Sequence, residues 1–456
     1  MIGWTIKDWR RAYEEGAAPE NLLFDLLDRL PPNDVAWISR VDREGLRTQL
    51  AAATARREVA RRSGADLPLY GVPFAVKDNI DFCGLPTTAA CPGFAYRPAV
   101  HAFVVQRLIE AGAIVIGKTN LDQFATGLCG VRTPYGAVPN AIDPAYVSGG
   151  SSAGSASVVA RGLVPFALAS DTAGSVRVPA GLNNIIGFKP TRGAWSTTGV
   201  VPASRTLDCV SVLTTTVEDA CTVDDIVAGY DVADAYSRQK PETASEPWPE
   251  HPRFGVPAVP DFCGDTQTQA AYEAALKKLE AFGVSLVPLP WDIFDAANAL
   301  FYADAFVGER YAALEEVATK QPDAMLPIIL EIISAAKKYS AADAFRAIYK
   351  QADLKRKADT IMAGVDALLV PTAPVHLRIA DVEADPIRLN SLMSRYSNFV
   401  NILDFSALAL PAGFRADGLP LGVTLIGPAW AERRLCEFGA RYEAFLNLPR
   451  GALAAG

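Results

Sequence analysis

Apolar positions along the chain repeat with two different periods, and the alternation between them sets out the elements. From Ile6 to about Arg62 the residues Trp9, Tyr13, Leu22, Leu23, Leu26 and Leu27 recur at three- and four-residue intervals, which predicts helices broken at Gly16 and at Pro31-Pro32. Gly71 to Asp81 reads as an apolar strand that runs out into a lysine and a turn. His101 to Ala113 reads as a helix and Ile114 to Gly117 as a short buried strand. A glycine-punctuated loop, GKTNLDQFATGLCGVRTPYGAVPN, then leads to the stretch from Tyr146 to Gly193. There an apolar helix, a turn and a strand join two clusters of small residues, Gly149 to Ser155 and Asp171 to Ser175.

Further strands are expected near Gly199 to Pro202 and Val210 to Leu213, then a helix over Val217 to Tyr230 and a strand from Phe254 to Val259. Thr266 to Ala363 is mostly helical. Val365 to Pro371, Ser406 to Pro411 and Gly422 to Ile426 supply closing strands, and Ala431 to Phe445 a last helix. Mixing of strand and helix throughout favours an α/β architecture. One domain over 1–445 is expected, with a helical N-terminal part (1–65), a core (66–240), a surface connection (241–253), a mostly helical segment on the substrate side (254–400) and closing elements (401–445), followed by a tail (446–456).

Half of the 456 residues are hydrophobic, enough for a large core. The net charge of −8 and an isoelectric point near 5.2 argue against nucleic acid as a partner. Seven scattered cysteines without a C-x-x-C spacing fit reduced thiols, and MIGWTIKDWRRAYEEG lacks the apolar run of a signal peptide. No stretch reaches the roughly 18 apolar residues of a membrane span. The expectation is a cytoplasmic protein with a small-molecule ligand, no membrane partner and a homodimeric state.

The Gly/Ser clusters carry the candidate chemistry. Glycine lets backbone N–H groups approach a ligand and serine offers a nucleophile, a combination suited to acyl transfer. His101, His251 and His376 lie far apart without an HExxH pattern, so no metal site is expected. Gly150-Ser151-Ser152-Ala153-Gly154 satisfies G-x-S-x-G, with His376 as a conceivable base, but loop residues precede it where a Ser-His-Asp hydrolase needs a strand. No lysine follows the glycines as in a phosphate loop, and no nucleotide or other cofactor is called for. The remaining arrangement uses a lysine as base. Its pKa must fall toward neutrality, and Lys77, placed by an apolar strand, is the candidate; a structural ion pair with Asp78 or Asp81 is the alternative.

VKDN, GGSSAGS and SDTAGSVRVPAG, in this order, resemble the motifs of the amidase signature family, with a looser match at GLPLGVTLIGP. The resemblance implies a central mixed sheet covered by helices on both faces. It also implies a Ser-cisSer-Lys triad of Ser175 as nucleophile, Ser151 as the cis-peptide relay and Lys77 as base. Backbone N–H groups of Thr172, Ala173, Gly174 and Ser175 would form the oxyanion hole, and Asp171 and Arg177 would brace it. Many family members have glycine at the position of Ala173, whose methyl would narrow the site.

FATGLCGVRTPYGAVPN and LFYADAFVGERYAA are most similar to the allophanate-hydrolase branch of that family. On one helix Tyr302 and Arg310, eight residues apart, would project from nearly one face, Arg310 toward a substrate carboxylate and Tyr302 toward the urea group. Gly127 would leave room for the ligand. Surface pairing of Arg310 with Glu309 or Glu315 and simple packing of Tyr302 are the alternatives. The resemblance implies hydrolysis of allophanate to ammonia and N-carboxycarbamate, by an amidase domain standing without the C-terminal domain usual in that branch. A glutaminase subunit of a tRNA amidotransferase, a biuret-type or aliphatic amidase, or a non-catalytic scaffold are the other readings.

Overall fold

The computed structural model describes residues 1–242 and 247–453. Part of the expected surface connection, residues 243–246, and the end of the tail, residues 454–456, lie outside the described residues. The strands are β1 (Trp37–Arg40), β2 (Pro73–Lys77), β3 (Ile114–Thr119), β4 (Phe166–Asp171), β5 (Ile186–Lys189), β6 (Cys209–Thr214), β7 (Arg253–Pro257), β8 (Ser285–Leu289), β9 (Ala367–Pro371), β10 (Ser406–Phe414) and β11 (Pro420–Gly427). They form one 11-stranded sheet in the order β1-β3-β2-β4-β6-β5-β10-β11-β9-β7-β8.

The sheet is mixed. β2 runs parallel to both β3 and β4, and β7 parallel to β8 and β9, while the other neighbours are antiparallel. Every residue of β2, β3, β4, β5, β6, β9 and β11 is buried, as expected of strands covered on both faces. The period of two sorts their side chains: Leu369 and Leu425 enter one core cluster, while their chain neighbours Leu368 and Ile426 enter another. No helix among the described residues is long and apolar enough to cross a membrane.

Four departures from the pattern-based expectation have local causes. Trp37–Arg40 is a short edge strand inside a region whose apolar spacing reads as helix. Ile186–Lys189 pairs with β6 and β10, although four residues are too few to show a period. Ser285–Leu289 is a strand within the stretch expected to be helical. It lies at the sheet edge, where Pro288 removes no ladder donor that the sheet needs. Gly199 to Pro202, expected to be a strand, makes a single bridge from Val200 to Ile80; Gly199, at φ +79°, and Pro202 keep it out of a ladder.

Candidate active site

β2 ends on Lys77 between β3 and β4, so the strand carries a lysine side chain into the interior. Its Nζ lies 2.8 Å from Ser151 Oγ, 3.0 Å from Ser170 Oγ and 3.2 Å from the Ser170 carbonyl. Lys77 is wholly buried and makes no ion pair with a described residue. The alternative of a salt bridge with Asp78 or Asp81 is not realised: Asp78 pairs with Lys118 at 2.9 Å, and Asp81 accepts from Thr87 and Tyr96. Burial pulls the Lys77 amine down to about 7, against the opposing charges of Asp122, Asp171 and Asp208. An amine that titrates there exists near neutral pH with its lone pair free to accept a proton.

Ser151 follows a cis Gly150–Ser151 peptide and precedes the helix Ala153–Ala160, all of whose residues are buried. Asp122 holds this corner. Its N–H donates to the Ser151 carbonyl at 3.1 Å, and its carboxylate accepts from Gly130 N at 3.0 Å and Arg132 N at 2.8 Å. A Cβ on residue 150 would collide with Asp122 Oδ2, so the glycine is a steric requirement.

Ser175 sits in the loop after β4, 2 % exposed. Ser152 N donates to its carbonyl at 3.2 Å, which brings the two serine segments together. Asp171, at the end of β4, organises the loop by accepting from Gly174 N (2.8 Å), Val176 N (3.1 Å), Arg177 Nε (3.0 Å) and Arg177 Nη2 (2.8 Å). Burial pushes this carboxyl up, but Arg177 outweighs it and holds the group at about 2, ionised throughout the neutral range. Arg177 in turn reaches the Ser397 carbonyl and Asn401 Oδ1, and Ser397 Oγ donates to the Ala173 carbonyl at 2.6 Å. The bracing expected of Asp171 and Arg177 is thus an extended buried network.

The expected oxyanion donors divide. Gly174 N–H is already committed to Asp171, so it is not free for a ligand. The N–H groups of Thr172, Ala173 and Ser175 have no acceptor among the described residues. Gly174 instead supplies the backbone shape, with φ +121° and a virtual Cβ 2.5 Å from Ser397 Oγ. The Ala173 methyl packs into the apolar cluster containing Leu207, Phe301 and Phe399.

Tyr302 and Arg310 do not share a helix. The chain breaks at Asp304, which is extended (φ −139°, ψ −179°), between the helices Asp292–Ala303 and Val307–Lys320. The two residues still meet, with Arg310 Cζ 5.5 Å from the Tyr302 ring centroid and 4.8 Å from that of Phe301. Arg310 is 2 % exposed and forms no ion pair among the described residues; the neighbouring Glu309 binds Thr206 instead. Its Nη1 donates to Thr126 Oγ1 at 2.7 Å, and its Nε is sealed without a partner. Gly127 is explained differently from the expectation, since a Cβ there would stand 2.5 Å from Asp122 Cγ. The site also contains residues that sequence reasoning did not single out: Asp122, Thr126, Ser170, Asp208, Ser397 and Asn401. Ser170 was within sight, because it opens SDTAGS.

An amidase family model matches residues 27–436. The chain belongs to the amidase family. Over its full length this amidase is 45% identical to urea amidolyase of Lachancea kluyveri and spans 25% of that protein. It is 34% identical to a glutamyl-tRNA(Gln) amidotransferase subunit of Prochlorococcus marinus, across 87% of this chain and 89% of that one. The structure of Kluyveromyces lactis allophanate hydrolase superimposes on the whole amidase with a TM-score of 0.95 and 41% identity, covering 75% of that chain. A similar superposition, at TM-score 0.92 and 42% identity, is found for a Ser-to-Ala variant of the Kluyveromyces lactis enzyme, over 97% of this chain and 72% of that one. The mixed sheet with its helices is therefore the amidase-signature α/β fold. The chain spans about a quarter of the length of the urea amidolyases it matches.

Proposed function

We propose that this amidase hydrolyses allophanate to ammonia and N-carboxycarbamate. The observation that carries the reading is Arg310, a buried guanidinium that makes no ion pair with a carboxylate among the described residues. Unpaired buried cations are costly, and a fork of N–H donors matches a carboxylate brought in by substrate. Thr126 and the Phe301 and Tyr302 rings fix its orientation. The likeness to an allophanate hydrolase over the full chain supports the same substrate.

In the proposed mechanism neutral Lys77 accepts the Ser151 hydroxyl proton while Ser151 accepts that of Ser175, and Ser175 Oγ bonds to the terminal carbonyl carbon. N–H groups of Thr172, Ala173 and Ser175 hold the oxyanion, each worth about 3 kcal/mol where such donors have been removed. The proton returns from Lys77 through Ser151 to the departing nitrogen as the C–N bond breaks, and ammonia leaves. Water, deprotonated by the same relay, then cleaves the ester on Ser175 and releases N-carboxycarbamate.

The test is ammonia release from allophanate, malonamate, biuret, urea and glutamine by the wild type and Arg310→Ala. The expected outcome is preference for the small carboxylate-bearing substrates, allophanate first, and a rise of about tenfold or more in allophanate KM in the variant, the loss of one charge-assisted pair. Preference for glutamine would favour the transamidase-type reading. An unchanged KM in Arg310→Ala would remove the clamp.

A further inference from the structure

Asp208, at the turn into β6, belongs neither to the triad nor to the brace formed by Asp171 and Arg177. It is nevertheless joined to the reacting centre on several sides. Its Oδ1 accepts the Thr172 hydroxyl at 2.5 Å, and its carboxylate accepts Ala203 N at 2.9 Å and Ser204 N at 3.1 Å. Thr172 is the first residue of the nucleophile loop, and its N–H is one of the uncommitted donors. The charge of Asp208 also interacts with those of Arg310 and Lys77. Asp208 also lines, with Arg205, Asp234 and Tyr236, a cavity of about 330 Å³.

From this geometry we propose that Asp208 is a positioning residue for the hydrolysis, holding Thr172 and its N–H within the nucleophile loop and supplying negative charge shared by Lys77 and Arg310. The inference rests on the triad reading given above. Two separable consequences follow. Loss of the Thr172 hydroxyl frees the start of the loop, and small misplacements of a donor are expensive in rate. Loss of the Asp208 charge removes one of the three carboxylates, with Asp122 and Asp171, that favour protonated Lys77. Burial pushes Asp208 itself up to about 6, against the bonds from Thr172 and the 203–204 turn and the charge of Arg310, so it is largely ionised where Lys77 titrates.

The experiment is steady-state allophanate hydrolysis between pH 5.5 and 9 for the wild type, Asp208→Asn, Thr172→Val, Thr172→Ser and Ser175→Ala. In Asp208→Asn the acid limb of the kcat profile is expected to move to lower pH by about half a unit or more, a change that loosened packing alone would not produce. Thr172→Val is expected to lose about tenfold or more in kcat with KM within about twofold, and Thr172→Ser to recover most of it. If the acid limb of Asp208→Asn coincides with the wild type, or Thr172→Val matches the wild type in kcat, the role assigned to Asp208 is overturned. Should Asp208→Asn fail to fold, the contrast between the two Thr172 variants decides the positioning role. Ser175→Ala separates the two levels: full activity there removes the triad reading, whereas an inactive Ser175→Ala beside an unshifted Asp208→Asn removes only the role of Asp208.

Discussion

Lys77 Nζ and Ser151 Oγ stand 2.8 Å apart, both side chains wholly buried, and Ser170 takes the remaining hydrogen bonds of the amine. The environment of hydroxyls and a carbonyl solvates the lysine without a carboxylate in contact with it. With the amine brought down to about 7 by burial, the base is protonated and idle below that pH and available above it. The kcat for ammonia release is therefore expected to fall on the acid side with a midpoint near 7, measured by steady-state rates across pH, and Lys77→Ala is expected to lose that activity.

Gly174 makes a second prediction. Its φ of +121° and the 2.5 Å approach of a virtual Cβ to Ser397 Oγ leave no room for a side chain. Gly174→Ala is expected to displace the loop that carries Thr172, Ala173 and Ser175, lowering kcat by about a hundredfold with a smaller change in KM. Equal rates would mean that the loop geometry does not govern catalysis.

The pair formed by Arg177 and Asp171 concerns stability. Both groups are buried, and Arg177→Ala would leave the Asp171 carboxylate without its guanidinium. Breaking a buried pair on one side costs about 3–5 kcal/mol, so denaturant unfolding of the variant is expected to show a loss of that order. Arg177→Lys would keep the charge but not the fork that reaches Asp171, Ser397 and Asn401 together, and is expected to fall between.

Asp219 gives stability the opposite dependence on pH. Burial raises its carboxyl to about 7, while the Ile6 N–H and Thr216 work against the rise. An unfolded aspartate releases its proton near pH 4. Between about 4 and about 7 the folded chain therefore holds a proton that the unfolded chain does not. Stability falls as pH rises through that window, by roughly 1.4 kcal/mol per unit for this group, and levels off above it. Asp219→Asn retains an acceptor for Ile6 N without the titration, so its melting temperature is expected to gain on that of the wild type from pH 4 to 7.

The three ordered motifs made much of the site legible because each is a continuous segment: VKDN ends β2, GGSSAGS runs into the helix Ala153–Ala160, and SDTAGS carries the end of β4 into the nucleophile loop. The architecture was legible for a similar reason, since strands buried on both faces read as unbroken apolar runs, as in β2 and β4. Edge elements were not. β1 and β8 are short and half exposed, so neither period is strong enough to declare them. Residues that act across the fold also escaped. Asp122, Asp208, Ser397 and Asn401 are ordinary polar residues in sequence, and they acquire meaning only when the fold places Asp122 at the Gly150–Ser151 corner and the other three beside the loop after β4. The apparent helix through Tyr302 and Arg310 shows the converse case. The spacing suggested one helical face, and the chain achieves the meeting of the two residues by a break at Asp304 instead.

The central claim is that the Ser175 hydroxyl forms the bond to the amide carbonyl, and its most direct test is ammonia release from allophanate by Ser175→Ala beside the wild type. The account predicts that the variant binds substrate with a dissociation constant near the wild-type value and releases ammonia at least about a thousandfold more slowly. Turnover by Ser175→Ala at the wild-type rate would contradict it.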